Sequence, residues 1–311
     1  MLTLDKIKLV SPIHSIQVID EDQFTCIIQS GQITRLKYRK QKPFLLSIEL
    51  DYVHSEVILE FTGKALSENY SKLITKETIR ECFDNINALG ICVIDIETMM
   101  LEADVVKCDV TRDAKIQDIP QLSNYVRNHI KNYRQYICRK LLNGNLILEK
   151  NVFNSRSKKR MTIYDKGQEM KMAENKQFTK NNGLEDTYDG VCRFEINLNS
   201  KAQIRKALHV EDTKLSTVLN SETNPILDFL CEAVEQDTTT PPITDKKTYL
   251  AMLVIKDCNY DLEEVEAKMR QFSSSRGTSI KKMMEPYRAL MARMADADDT
   301  KVWNQTLDQL R

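Results

Sequence analysis

Residues 24–63 carry the pattern that decides the fold: FTCIIQSGQITRLKYRKQKPFLLSIELDYVHSEVILEFTG. Four segments of this stretch are rich in β-branched and aromatic residues, a composition typical of β-strands. Gly31 and the Lys42–Pro43 step separate segments at positions where turns are expected. The stretch therefore predicts a meander of strands.

Downstream of this meander a helix and a short strand are predicted, and a second unit of similar layout follows them. A helix is expected over 75–89, with Thr75 as its N-cap and Gly90 at its end, and a short strand over 91–95. The second unit then comprises strands over 103–112, 145–153, 160–166 and 191–199, a helix over 120–133, a helix over 167–175 and a polar loop over 176–190.

The pattern changes after Leu198. From Ala202 onward nearly every segment is helical, with a break at 237–242 (DTTTPP). The predicted fold class is therefore α+β. A largely antiparallel sheet with flanking helices forms a domain over 1–201, and a helical C-terminal domain follows over 202–311. For that helical tail we favour a bundle packed on itself or on the first domain, and the alternative is a role in recognition or homodimerisation.

Composition excludes several classes of protein. The chain has 45 basic and 45 acidic residues among 311, so net charge gives no argument for nucleic acid. No apolar run approaches the roughly 20 residues needed to cross a bilayer, and the first residues lack a signal-peptide core. A cytoplasmic location without membrane association is the expectation.

Cysteines and histidines argue against several metal sites. No two of the eight cysteines have CxxC spacing, and no two of the four histidines are close in sequence. A zinc ribbon, a thioredoxin motif and a paired-histidine nuclease motif are therefore excluded. Cys108 and Cys192 lie among alternating apolar residues, which predicts buried, reduced thiols.

Three of the predicted strands have one apolar face and one face with ionisable groups, because side chains alternate along a strand. Such alternation alone is typical of any solvated sheet face. Here the groups suit phosphodiester chemistry, since carboxylates bind Mg²⁺ or Mn²⁺ and a tyrosine beside a lysine or metal can act as nucleophile. If the faces align, one surface carries Asp109, Tyr164, Lys166, Arg193 and Glu195.

The loop before the Tyr164 strand, residues 154–160, has the sequence NSRSKKR. By itself such a cluster is typical of a solvated basic turn. Directly before a nucleophile it is a candidate for holding the DNA backbone. The predicted DNA-binding residues are Arg156, Lys158, Lys159, Arg160 and, on the third strand, Arg193.

These strands also carry a resemblance to a known family. The chain resembles rolling-circle replication initiators of the filamentous-phage gene II type, and more distantly staphylococcal-type plasmid initiators. Three blocks occur in the order found in that family: VVKCDVTRD at 105–113, NSRSKKRMTIYDKGQE at 154–169 and VCRFEINL at 191–198.

The resemblance implies a role for each matched residue. Asp109 and Glu195 are expected to hold Mg²⁺ or Mn²⁺, with Glu169 as a third ligand. Tyr164 is the expected nucleophile, and Lys166 stabilises its phenolate or the charge at phosphorus.

The implied activity is metal-dependent nicking of one strand at an origin, which leaves a 5′-phosphotyrosine and a 3′-hydroxyl that primes rolling-circle replication. Expected partners are single-stranded or hairpin origin DNA, a host helicase and a host polymerase. Two alternatives stay open: a non-catalytic origin-binding protein, and a metal nuclease that uses water.

Overall fold

The computed structural model describes residues 1–116, 118–131, 135–151, 159–235, 245–258, 262–271 and 278–311. It is a mixed α+β fold built on a ten-stranded antiparallel sheet, with a separate two-stranded sheet. The strands are β1 (Leu4–Pro12), β2 (Ile16–Val18), β3 (Thr25–Gln29), β4 (Gln32–Lys40), β5 (Leu46–Asp51), β6 (Glu56–Thr62), β7 (Cys92–Ile94), β8 (Asp104–Lys115), β9 (Tyr136–Lys140), β10 (Leu146–Lys150), β11 (Arg160–Asp165) and β12 (Val191–Leu198).

Helices follow and separate these strands. They are α1 (Ile79–Asn87), α2 (Ile96–Glu102), α3 (Ile119–Asn128), α4 (Lys166–Lys171), α5 (Ala173–Asn181), α6 (Lys201–Leu208), α7 (Leu215–Leu219), α8 (Pro225–Ala233), α9 (Lys246–Asp257), α10 (Leu262–Gln271) and α11 (Thr278–Leu310). A 3₁₀ segment spans Gly63–Lys72.

The large sheet consists of two units with the same strand order. In the first unit β1 is followed by the meander β3 to β6, and β6 returns to pair with β1. In the second, β8 is followed by the meander β9 to β12, and β12 returns to pair with β8. β1 and β8 pair with each other at the centre, so the strand order is symmetric about this pair. The similar layout predicted for the two units is confirmed.

One face of the sheet is covered by helices and encloses the main hydrophobic core. Cys108 and Phe194 point to this face and are fully buried, and α6, α7, α8 and the end of α11 pack there. Trp303 of α11, the single tryptophan of the chain, stacks on Tyr125 of α3 with ring centroids 5.2 Å apart. The opposite face is covered only in part, by α4, α5 and Gly63–Lys72, and carries the polar side chains.

The C-terminal helices divide between two hydrophobic cores. α6, α7, α8 and the last turns of α11 belong to the main core, whereas α9, α10 and the first half of α11 enclose a smaller one. The main core therefore continues across residue 201, where strands give way to helices. Among the residues that the structure describes, no helix has both the length and the apolar character needed to cross a bilayer.

Several predicted elements are confirmed and others are wrong in their bounds. β3 to β6 occupy the quoted stretch, and the part after Ala202 is helical where it is described. Three strands, β1, β2 and β9, are missing from the sequence prediction. The strand predicted over 160–166 ends at Asp165, because the Asp165 side chain accepts a hydrogen bond from the Gln168 N–H and caps α4.

Candidate active site

The uncovered face of β8, β12 and β11 brings predicted site residues together. Asp109 pairs with Asn197 across β8 and β12, and Glu195 pairs with Thr162 across β12 and β11. Tyr164 lies two residues beyond Thr162, so Glu195 is a diagonal neighbour of both Asp109 and Tyr164. Diagonal neighbours in a sheet have Cβ atoms roughly 7 Å apart. The predicted alignment of the three faces is confirmed.

These side chains line a cleft of about 710 Å³. β1, the turn between β4 and β5, the 3₁₀ segment Gly63–Lys72 and α5 provide its other walls. Cations on these walls are Lys6, Lys42 and Lys64. None of the three is part of the sequence prediction, because all of them lie in the first unit, far along the chain from the blocks that carry the resemblance.

Two of the carboxyl groups that line the cleft, Asp109 and Glu195, have raised pKa values. Burial, followed by the negative charge of Asp5, raises the pKa of Glu195 to about 8. Burial also raises the pKa of Asp109, although Asn197 donates a hydrogen bond of 2.8 Å to its Oδ1. A divalent cation would relieve the repulsion between these groups.

The oxygen donors fit a magnesium ion that is held by few protein ligands. In the described part of the chain, no three His, Cys, Asp or Glu side chains are grouped so as to hold a metal ion. Mg²⁺ commonly uses one or two carboxylates and keeps waters and substrate phosphate as its other ligands. Asp109 and Glu195 suit that arrangement.

Asp5 joins these carboxylates and is missed by the sequence analysis. In the β1–β8 pairing Leu4 lies opposite Val110 and Lys6 opposite Asp109, so Asp5 occupies a β-bulge. A bulge interrupts the alternation of side chains, and Asp5 therefore faces the cleft beside Lys6. The only signal in the sequence is the adjacent polar pair Asp5–Lys6 within an otherwise alternating strand.

Tyr164 is the half-buried tyrosine at the floor of the cleft. Burial, and then the neighbouring carboxylate of Glu195, raises the pKa of its phenol above the ordinary value. Tyr70 also lines the cleft, but it is fully buried and its hydroxyl donates to Asp5 Oδ1 at 2.8 Å. Tyr164 is thus the better placed of the two to reach a phosphate in the cleft.

Lys166 begins α4 and does not continue the Tyr164 strand. Its ammonium is buried, donates to Tyr70 Oη at 2.9 Å and pairs with Glu169 Oε2 at 2.5 Å. It lies 5.9 Å from the centroid of the Tyr164 ring. Glu169 is therefore the ion-pair partner of Lys166 and holds its ammonium group in place.

The turn between β11 and α4 depends on a close approach between the backbones of Gly167 and Tyr188. A Cβ atom on Gly167 would lie 2.7 Å from the Tyr188 carbonyl oxygen, which is too close for any other residue. The glycine therefore lets α4 start directly after Asp165 and brings Lys166 under the rings of Tyr70 and Tyr188.

The prediction that Arg193 contacts DNA is wrong in this structure. Its side chain is 0% exposed, and its guanidinium forms two hydrogen bonds of 2.7 Å with Asp113 and one of 3.0 Å with Asp5. Tyr70, which Arg193 also contacts, covers it from the 3₁₀ segment. Arg193 therefore holds Asp5 and Tyr70 in place.

The predicted basic loop is divided between two faces. Arg156 and Lys158 lie outside the described residues. Lys159 lies on the helical side of the sheet, with its Nζ 4.7 Å from the centroid of the Phe229 ring of α8, which contradicts a role beside Tyr164. Arg160 is exposed at the start of β11 and, by alternation, shares the face of Tyr164.

Replacement of Glu195 is predicted to raise stability and to remove the response to metal. A carboxyl whose pKa is raised on folding stabilises the protein below its unfolded pKa, and that contribution is lost as pH rises through the folded pKa. Wild type should therefore lose stability between about pH 4.5 and 8. In a chelator above pH 8, Glu195→Gln should be more stable than wild type by up to about 5 kcal/mol.

The measurement is thermal unfolding across this pH range, with EDTA and with Mn²⁺. We expect Mn²⁺ to raise the Tm of wild type and of the exposed control Glu77→Gln, and to leave Glu195→Gln unchanged. A Glu195→Gln protein that is less stable above pH 8, or that still responds to Mn²⁺, would contradict the assignment.

Comparison with known proteins adds no relative. No family model matches the chain, and neither a curated protein nor a solved structure matches it. Functional inference therefore depends on the geometry of the cleft and on the three sequence blocks.

Proposed function

We propose that the protein is a replication initiator that nicks one strand of origin DNA with Tyr164 and stays attached to the new 5′ end. The observation that carries this proposal is the meeting of Tyr164, Asp109 and Glu195 in one cleft. Lys6, Lys42 and Lys64 on the walls support it, because a DNA strand needs positive charge along its path.

In the proposed reaction, Tyr164 Oη bonds to the scissile phosphorus, and the proton of the phenol passes to the surrounding water. The bond from phosphorus to O3′ breaks, and the O3′ atom takes up a proton to become the primer hydroxyl. The number of phosphate ester bonds is unchanged, so attack of a 3′-hydroxyl on the phosphotyrosine rejoins a strand without an external energy source.

Asp109 and Glu195 are the residues that would hold Mg²⁺ or Mn²⁺. When bound, such an ion polarises the phosphoryl oxygens and offsets negative charge in the transition state. The chain itself contributes Lys166, whose buried ammonium lies beneath the Tyr164 ring, and the fixed positions of Tyr70, Glu169 and Arg193 around it.

Two other functions make different use of the same cleft. A metal nuclease that activates water would need no ionised tyrosine, and the raised pKa of Tyr164 is the observation that favours it. A non-catalytic origin-binding protein would use only the cationic walls.

The test is a cleavage assay on single-stranded oligonucleotides tiled across the replicon that encodes the protein, with Mn²⁺ or with EDTA. Each oligonucleotide is labelled at either its 3′ or its 5′ end, and products are separated on a denaturing protein gel. Attachment to the 5′ phosphate places the 3′ label on the protein and leaves the 5′ label on a free fragment.

A Mn²⁺-dependent protein band with the 3′ label would support the initiator. Two free fragments without a labelled protein band would favour the water-using nuclease. Binding without cleavage of any oligonucleotide would favour the non-catalytic protein.

A further inference from the structure

Three lysines meet on the uncovered face at the central seam of the sheet, where β1 and β8 pair. Lys8 lies directly opposite Lys107, and Lys6 lies opposite Asp109. Like charges directly opposite each other in an antiparallel pair destabilise the sheet. The Lys8–Lys107 pair therefore costs folding free energy at the centre of the fold, where a neutral residue would be better tolerated.

Nearby carboxylates do not balance these lysines. Glu60 pairs with Lys6 at 2.5 Å and reaches Lys8 only at 3.7 Å, so one carboxylate serves two ammonium groups. Among the described residues, Lys107 Nζ makes no hydrogen bond or ion pair. Its charge reaches Glu60 and Asp109 only through space, where it lowers the pKa of Glu60 and opposes the burial that raises that of Asp109.

The seam continues the line of the candidate active site. Tyr164, Glu195 and Asp109 follow one another diagonally across β11, β12 and β8, and Lys107 lies two residues from Asp109 on the same face. Two residues along a strand cover about 7 Å. Lys8 extends the line by one strand, and its side chain is 35% exposed and hence open to a ligand.

We propose that Lys8 and Lys107 bind the backbone of single-stranded DNA next to the cleaved phosphate and guide the strand across the β1–β8 seam. The inference rests on the proposed function for the identity of the strand. A phosphate between the two ammonium groups would replace their repulsion with two attractive contacts, which accounts for a like-charged pair at this position.

The test uses the full-length chain with Tyr164→Phe, so that binding is measured without cleavage. The probe is fluorescein-labelled oligothymidylate, titrated by fluorescence anisotropy over a series of salt concentrations. The variants are Lys8→Ala, Lys107→Ala and the double replacement. The control for charge is Lys246→Ala with Lys247→Ala, two exposed lysines on α9.

Each seam replacement should weaken binding by about 3–10-fold and lower the slope of log K against log salt by about 0.7, so the double variant loses about 1.4. The control should change neither quantity. Because the replacements remove a repulsion, the Tm at low salt should stay constant or rise. Unchanged affinity and slope in the double variant, or an equal loss in the control, would overturn the inference.

A second experiment separates this inference from the proposed function. In the chain that retains Tyr164, the double seam variant should reach the wild-type yield of protein–DNA adduct at saturating DNA and need about 10-fold or more DNA to do so. If no adduct forms with wild type while the salt slope still falls in the seam variants, the proposed function fails and the DNA path stands. If wild type neither binds oligothymidylate nor forms an adduct, both fail.

Discussion

Tyr164→Phe is expected to abolish the covalent adduct, with a loss of roughly 10³-fold or more, because Tyr70, the other tyrosine that lines the cleft, is fully buried and cannot replace it. The replacement removes one oxygen atom. Among the described residues Tyr164 Oη makes no hydrogen bond, so packing and the Tm should stay as in wild type. Binding of uncleaved DNA should also be retained.

Two other tyrosines make this result interpretable. Tyr249 is 51% exposed on α9, and Tyr249→Phe should form the adduct as wild type does. Tyr70→Phe should lower the yield without abolishing it, because the Tyr70 hydroxyl accepts from Lys166 and Arg193 and donates to Asp5. Mass spectrometry of the digested adduct identifies the modified residue.

The adduct should also form faster as pH rises through about 8, where Glu195 becomes ionised in the metal-free chain. Phosphate on any tyrosine other than Tyr164 would contradict the assignment. Full adduct formation by Tyr164→Phe would contradict it as well. Nicking that survives Tyr164→Phe at wild-type rate, without an adduct, would instead identify water as the nucleophile.

The common face of the three strands that carry the candidate site could be predicted because their side chains follow a strict period of two. In β8, β12 and β11 the apolar residues face the helices, so Asp109, Glu195 and Tyr164 must share the other face. The same period also separates Lys159 from Arg160, since neighbouring residues on a strand point to opposite faces. Lys159 and Arg160 therefore do not form one basic cluster, as the sequence prediction had assumed.

The position of Asp5 and the burial of Arg193 depend on contacts between distant parts of the chain. Asp5 reaches the cleft through a bulge in β1, whose pairing with β8 joins residues about a hundred positions apart in the chain. Arg193 lies on the predicted face of the sheet, but Tyr70 of the 3₁₀ segment covers it. Local sequence patterns contain no information about which distant segment will cover a given side chain.

Lys166 differs from its predicted place for a local reason. Asp165 caps a helix and Gly167 permits the approach of Tyr188, and together they turn the chain one residue before the predicted end of the strand. An Asp followed three residues later by Gln is a helix-start signal that the strand pattern outweighed. The turn moves Lys166 from a position beside Tyr164 to one beneath it.

Arg193→Met is expected to destabilise the protein by about 3–5 kcal/mol, because it leaves the carboxylates of Asp5 and Asp113 without their buried partner. Methionine fills a similar length, so little of the loss comes from a cavity. The measurement is urea unfolding followed by the fluorescence of Trp303, which is fully buried against Tyr125. Arg205→Met on the exposed surface of α6 is the control and should change stability little.

The loss of stability in Arg193→Met is expected to depend on pH. Burial acts to raise the pKa of Asp5, yet Arg193, with Lys166 and Tyr70, holds it below the ordinary value of 3.8. A depressed pKa contributes stability above the unfolded pKa, and the contribution is lost as pH falls through the folded one. The difference between wild type and Arg193→Met should therefore be largest near neutrality and shrink as pH falls below 3.8.

Neutralising the partners should restore part of the stability. In the triple variant Arg193→Met, Asp5→Asn, Asp113→Asn no buried charge remains unpaired, and it should be more stable than Arg193→Met alone. A direct DNA contact predicts the opposite behaviour, with unchanged unfolding, weaker DNA binding and a lower salt slope. Arg193→Met thus distinguishes a buried ion pair that positions Asp5 from a surface residue that grips a phosphate.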